Sequence, residues 1–375
     1  MNDYLNGSIL EMLERVKVLK SKIPIPIIPT SFHQLATKAM SALESIFNGL
    51  VLLRDDTRYQ IKSNLPFKMI EFQKIVNHLD YLENYIISAL NRYSEDDGII
   101  TNLVQKICKE INYPLLPPVG SSLSQSYYCI DPILNHLRVP LLESEFLLHL
   151  PDIYHELAHP LITTKNHPNV IQFQEKLGQF NLIIRHHYED EIINLKRNNG
   201  EDQIKYIEII LDSWIQGWSI ELFCDLFGTY TLGTAYAWAH LHLSVKRGSN
   251  PYEKPEDSMS SHPSDDARMK TILYGLSLIG LDKENKIIDN YWGKYLLLNG
   301  ASVDWCYKVA YPKTILEHCA VNALEATKVI NCKIVNQGNN KDVCNLLNTA
   351  WMKFIDNPQN YLVWEKEQRE KLKFN

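Results

Sequence analysis

The stretch Asp152-Ile153-Tyr154-His155-Glu156-Leu157-Ala158-His159-Pro160 decides how the rest of the chain is read. It sets an H-E-x-x-H pentapeptide among apolar neighbours. On a helix, residues four apart share a face, so His155 and His159 can converge on one ion, with Glu156 beside them as a general base. The helix is expected to start near Glu143 or Pro151, and Pro160 kinks or ends it. Two imidazoles do not complete a catalytic zinc site, which takes three protein ligands and keeps one position for water.

A third ligand is not found close by. In H-E-x-x-H-x-x-G-x-x-H, the Gly and last His positions hold Ile162 and Lys165 here. Further on, Trp218-Ser219-Ile220-Glu221-Leu222-Phe223-Cys224-Asp225 places two acids four apart within an apolar helical run. Acids on a buried face need a partner or a cation. Glu221 can be the third ligand, and Asp225 can accept a hydrogen bond from the far nitrogen of a ligand histidine. Glu189 and Asp190, which follow His186-His187, are the fallback for the third ligand. A last motif is Ser261-His262-Pro263-Ser264-Asp265-Asp266-Ala267-Arg268. Tyr230, Tyr236 and Trp238 read as core aromatics, with Tyr230 or Tyr236 a fallback oxyanion donor.

Taken in order, the three motifs resemble those of the gluzincin metallopeptidases, and most nearly the CAAX prenyl endopeptidase family and its soluble bacterial relatives. The resemblance is confined to residues 127–268. It implies zinc bound by His155, His159 and Glu221, with Glu156 as catalytic base. It implies Asp225 behind a ligand histidine, His262 near the oxyanion, and Arg268 anchoring its loop or binding near the active-site helices. It further implies that the strand before the zinc helix, here His136 to Pro140, pairs with an extended substrate. Phe223 and Cys224 stand where the family usually has a second acid and an alanine. The expected activity is hydrolysis of peptide bonds in a protein or peptide substrate. A non-proteolytic zinc amidohydrolase and an inactive zincin-like scaffold are the rivals.

The rest of the chain frames this core. Its 375 residues suggest two or three domains. A net charge of -6 with dispersed basic residues argues against nucleic acid or an anionic membrane as partner. Seven cysteines without a C-x-x-C pair read as free thiols in a reducing compartment, and no secretory signal is visible, so a cytoplasmic protein is expected. Phe223 to Leu243 is apolar over a bilayer length but holds Asp225, His240 and His242, so a buried helix is the better reading.

Residues 1–112 read as an N-terminal helical region, with apolar stripes at Ile9, Met12, Leu13, Val16 and at Ile70, Phe72, Ile75, Leu79, Leu82, Ile86. Lys22 to Pro29 is expected to be extended, Asp96-Asp97-Gly98 a turn, and Tyr113 to Ser126 a linker. Tyr127 to Ile130 and His136 to Pro140 form a hairpin. Residues 113–275 are the expected zincin-like core and 276–375 a C-terminal helical region. The fold is therefore mainly α with a small antiparallel sheet. The flanking regions suggest gating of a cytoplasmic protease, by restricting substrates or through a regulatory partner.

Overall fold

The computed structural model describes residues 2–124, 127–141, 146–197, 201–336 and 342–373. The chain is mainly helical with one small sheet, and it divides into two compact units. The first comprises residues 1–104 and 118–141; the second comprises 105–117 and 142–375.

The first unit is built from α1 (Asn2–Lys22), α2 (His33–Asp55), α3 (Leu65–Tyr81), the short α4 (Ser88–Asn91) and the start of α5 (Glu95–Glu110). On α1, Ile9, Met12, Leu13 and Val16 are buried, as their helical spacing predicts. The second stripe is only partly realised. Ile70 is exposed and Phe72 and Ile75 are half-buried, whereas Leu79, Leu82 and Ile86 are buried. The chain passes through a π-helical turn, Leu82–Ile87, and its wider winding re-aims the stripe.

Three local expectations are corrected. Lys22 to Pro29 is not extended: Ile27 and Ile28 donate to the Pro24 carbonyl and close a turn. Asp97 lies in the first turn of α5, where the Ser94 amide donates to its carboxylate (2.8 Å) and its own amide donates to Ser94 Oγ (3.4 Å). This reciprocal cap starts a helix where a turn was expected. The supposed linker contains a strand, β1 (Val119–Ser124).

With β2 (Cys129–Asp131) and β3 (His136–Pro140), β1 makes a sheet of order β1-β3-β2. β2 and β3 form the expected antiparallel pair, Ile130 opposite Leu137, but β1 runs parallel to β3, so the sheet is mixed. β3 is the central strand. Its backbone groups are engaged on both sides, which overturns the expectation that His136 to Pro140 offers a free edge to a substrate. A Cβ at residue 120 would lie 2.4 Å from Ile100 Cγ2, so a larger residue there would have to displace that side chain.

The second unit centres on α10 (Ser219–Leu232), whose residues from Leu222 to Leu232 are all buried. An apolar helix covered on all sides belongs in a core. Around it pack α6 (Asp152–Glu156), α7 (Ala158–Thr163), α8 (Ile171–Arg197), α11 (Thr234–Arg247), α12 (Asp265–Leu278) and α15 (Lys313–Val329). α9 (Glu201–Ser213) leads into α10 through the π-helical turn Trp214–Trp218. Gly233, at φ +89°, breaks the apolar segment Phe223 to Leu243 into the α10–α11 hairpin. Among the described residues, no helix is long and apolar enough to cross a membrane. α13 (Asp282–Asn299), α14 (Trp305–Ala310), α16 (Asp342–Asp356) and α17 (Pro358–Lys373) complete the unit. Glu143 lies outside the described residues, and the helix begins at Asp152, after Pro151.

Candidate metal centre

His155 lies in the last turn of α6 and His159 in the first turn of α7. Pro160 has no amide hydrogen to donate to Glu156, and its ring crowds that carbonyl, so the helix is interrupted at Leu157. The interruption leaves the two rings together, with centroids 5.0 Å apart at 72°. Tyr113 secures the break by donating to the Leu157 carbonyl (2.8 Å). Glu156, between the two histidines in sequence, is also buried.

α10 brings its acids against these rings. Glu221 Oε2 is 3.3 Å from His155 Nε2, and Glu221 Oε1 is 4.0 Å from His159 Nε2. Two ligands on a tetrahedral zinc with bonds of about 2.0–2.1 Å stand about 3.3 Å apart, so the first spacing suits a shared ion and the second is slightly wide. One turn later, Asp225 Oδ1 accepts from His155 Nδ1 at 2.9 Å. That contact holds a proton on Nδ1, so a metal displacing the proton on Nε2 would meet that nitrogen's lone pair beside Glu221.

Asp225 is wholly buried and held by three side chains. Arg268 donates through Nε to Oδ2 (2.8 Å) and through Nη2 to Oδ1 (2.6 Å), and Tyr236 OH donates to Oδ1 (2.5 Å). The hairpin at Gly233 turns α11 back so that Tyr236 reaches α10. Its ring fills the space beside Gly228, where a Cβ would lie 2.8 Å away. Burial opposes the charge on Asp225, but Arg268 and His155 hold its carboxyl well below the usual carboxylate range.

The ligand candidates are strongly coupled. Burial would lower His155, yet hydrogen bonds and charge from Asp225 and Glu221 outweigh it and raise the ring to about 10. Burial and the neighbouring His155 lower His159 to about 4. Against the effect of burial, His155 and His159 hold Glu221 down at about 2. Burial combined with specific charge partners of this kind makes the cluster a functional-site candidate.

Cys224 is the residue that sequence reasoning missed. Its Sγ is 3.6 Å from His159 Nδ1, and His155, His159 and Cys224 offer ligand atoms within 4.8 Å of one another. The thiol and Glu221 thus compete for the role of third ligand. Glu221 fits better. Cys224 lies on the Nδ1 side of His159, and burial with the charges of Glu221, Asp225 and Glu156 pushes its thiol well above the ordinary range. In the metal-free protein the thiol so held is an adequate neighbour for an imidazole N–H. The sequence signal was the E-x-x-C-D spacing, which sets Cys224 three residues after Glu221.

The third motif also reaches the site. His262 Nε2 is 3.9 Å from Glu221 Oε2, on a side chain that is 66 % exposed. Arg268, from α12, grips Asp225 as described and so acts behind the ligands. Of the fallback residues, only Tyr236 reaches the site. Tyr230 OH donates to the Ala320 carbonyl (2.5 Å), and Tyr236 is committed to Asp225. Glu189 and Asp190 are exposed on α8. His240 bonds the Asp265 carbonyl (2.9 Å), and His242 stacks on His149.

No family model, no curated protein and no solved structure matches the chain.

Proposed function

We propose that this chain is a zinc-dependent endopeptidase of gluzincin type, acting in the cytoplasm on a protein or peptide substrate. The observation that carries the proposal is the meeting of two helices: His155 Nε2 lies 3.3 Å from Glu221 while His155 Nδ1 is held by Asp225 at 2.9 Å. His155, His159 and Glu221 would hold the zinc. Bound there, it would supply a polarised water with a pKa of about 7 and a Lewis acid for the scissile carbonyl.

The remaining roles belong to the protein. Glu156 takes the proton from the attacking water and returns it to the leaving amine. His262, on the exposed side of Glu221, donates to the oxyanion; such a donor is typically worth about 10²–10³ in rate. Asp225, with Arg268 and Tyr236 behind it, keeps His155 in the ligating tautomer. Regions outside the motif-bearing segment restrict substrates or receive a regulatory partner.

A second reading is hydrolysis of a small amide. It is favoured by the central position of β3, which removes the backbone row expected to hold an extended peptide.

Zinc titration of the full chain and of two variants tests the metal. Glu221→Ala is expected to weaken zinc binding, and Glu156→Gln to keep zinc while losing turnover of an extended-peptide mixture. Failure of the unaltered chain to take up about one equivalent of zinc would overturn both readings. Zinc uptake with hydrolysis of small amides but not of peptides would favour the second.

A further inference from the structure

Gly217 lies in the π-helical turn Trp214–Trp218, four residues before Glu221. A Cβ built on it would stand 2.4 Å from the carbonyl oxygen of Ser261 and 2.9 Å from that residue's C and Cα. The obstruction is backbone and cannot rotate aside. The segment carrying His262 therefore rests on the helix at a position that has no side chain. Its contacts run in step with the helix. Ser260 N donates to Ser213 Oγ (3.0 Å), Ser261 seats on Gly217, and His262 faces Glu221 at 3.9 Å. Ser213, Gly217 and Glu221 recur every four residues across the widened turn, and π-helical turns are often found at functional sites. Beyond His262, Ser264 N donates to Tyr311 OH (3.0 Å), and the Tyr311 ring stacks on Trp218 at 4.6 Å. Ser261 Oγ lies 2.9 Å from His262 Nδ1, which leaves Nε2 as the nitrogen toward Glu221.

We propose that Gly217 is the positioning residue for His262: the missing Cβ in the π-helical turn lets the Ser260–Ser264 segment seat against the helix and present the His262 ring beside Glu221. The use made of His262 rests on the peptidase reading; the seating does not. Alanine is a better helix former than glycine, so damage from Gly217→Ala cannot come from helix propensity.

Hydrogen exchange on the metal-free full chain tests the seating. In Gly217→Ala, the Ser260 and Ser264 amides should exchange about tenfold faster while α6 and α10 amides keep their rates. Unchanged exchange at Ser260 and Ser264 overturns the proposal. If Gly217→Ala fails to fold, Ser213→Ala, which removes the acceptor of the Ser260 amide, should give the same acceleration locally; no acceleration there overturns it equally. Activity then separates positioning from general damage. Gly217→Ala and His262→Ala should each lower kcat about 10²-fold with KM little changed, and the double variant should be no worse than either. Additive losses would mean that Gly217 does not act through His262. Zinc uptake measured on the same proteins keeps the two claims apart. If neither protein binds zinc, the peptidase reading falls, and hydrogen exchange alone decides on Gly217.

Discussion

Arg268 and Asp225 form a buried bidentate pair, with Nε on Oδ2 at 2.8 Å and Nη2 on Oδ1 at 2.6 Å. The same carboxylate holds His155 Nδ1, so the pair joins α12 to α10 and, through His155, to α6. A charge buried this completely is tolerable only because its partners are fixed around it.

Removing one member should therefore be costly. Arg268→Met leaves the buried carboxylate with only His155 and Tyr236 as partners and is expected to lower stability by about 3 kcal/mol in urea unfolding. Asp225→Asn should weaken zinc binding about 10–100-fold, because the ligand histidine loses its charged acceptor. Zinc affinity unchanged in Asp225→Asn would show that His155 does not depend on this support.

Cys224 and Glu221 make opposite predictions for the metal. Cys224→Ser alters only the neighbour of His159 Nδ1 and should leave zinc affinity within about tenfold of the original. A loss larger than that of Glu221→Ala would transfer the third-ligand role to the thiol. Calorimetric titration of both variants decides between them.

Zinc binding should also release a proton. In the metal-free protein the His155 ring, raised to about 10, is charged at neutral pH, and a ligating imidazole is neutral. About one proton per zinc is expected to appear at pH 7 in a weakly buffered titration, with affinity rising as pH rises toward 10. Uptake without proton release would contradict the pairing of His155 with its two carboxylates.

His136 predicts a pH-dependent stability unrelated to the metal. Buried beside Arg138, its ring is pushed down from 6.5 to about 3. Its Nε2 meets Ser121 Oγ at 2.7 Å, and its Nδ1 has no hydrogen-bond partner among the described residues. Below pH 6.5 the unfolded chain binds a proton that the folded chain refuses, so stability should fall from about pH 6.5 toward pH 3. The loss is of the order of 5 kcal/mol at the acid limit and absent above that range. Urea midpoints at pH 7 and pH 4.5 should differ more for the unaltered chain than for His136→Gln.

Several features were legible in the residues themselves. The apolar spacing on α1 foretold its buried face, the β2–β3 pair fell where the hairpin was expected, and the three motifs named residues that the fold gathers within hydrogen-bonding or ion-pair reach. Other features were not legible. β1 is small and polar, Val119-Gly120-Ser121-Ser122-Leu123-Ser124, and reads as linker. It is a strand because Ser121 meets His136 and the Ser122 amide meets Asp97, both distant in sequence. Cys224 and Gly217 look ordinary until a histidine and a backbone segment are folded onto them.

Helical periodicity is local, so the sequence alone determined that His155 and His159 share a face, that Glu221 and Asp225 lie one turn apart, and that α10 is a core helix. Strand order and side-chain neighbours depend on contacts between residues far apart along the chain. Only the tertiary structure could therefore decide that β3 sits between two strands, that Tyr236 and Arg268 both converge on Asp225, and that a thiol competes with Glu221 beside His159.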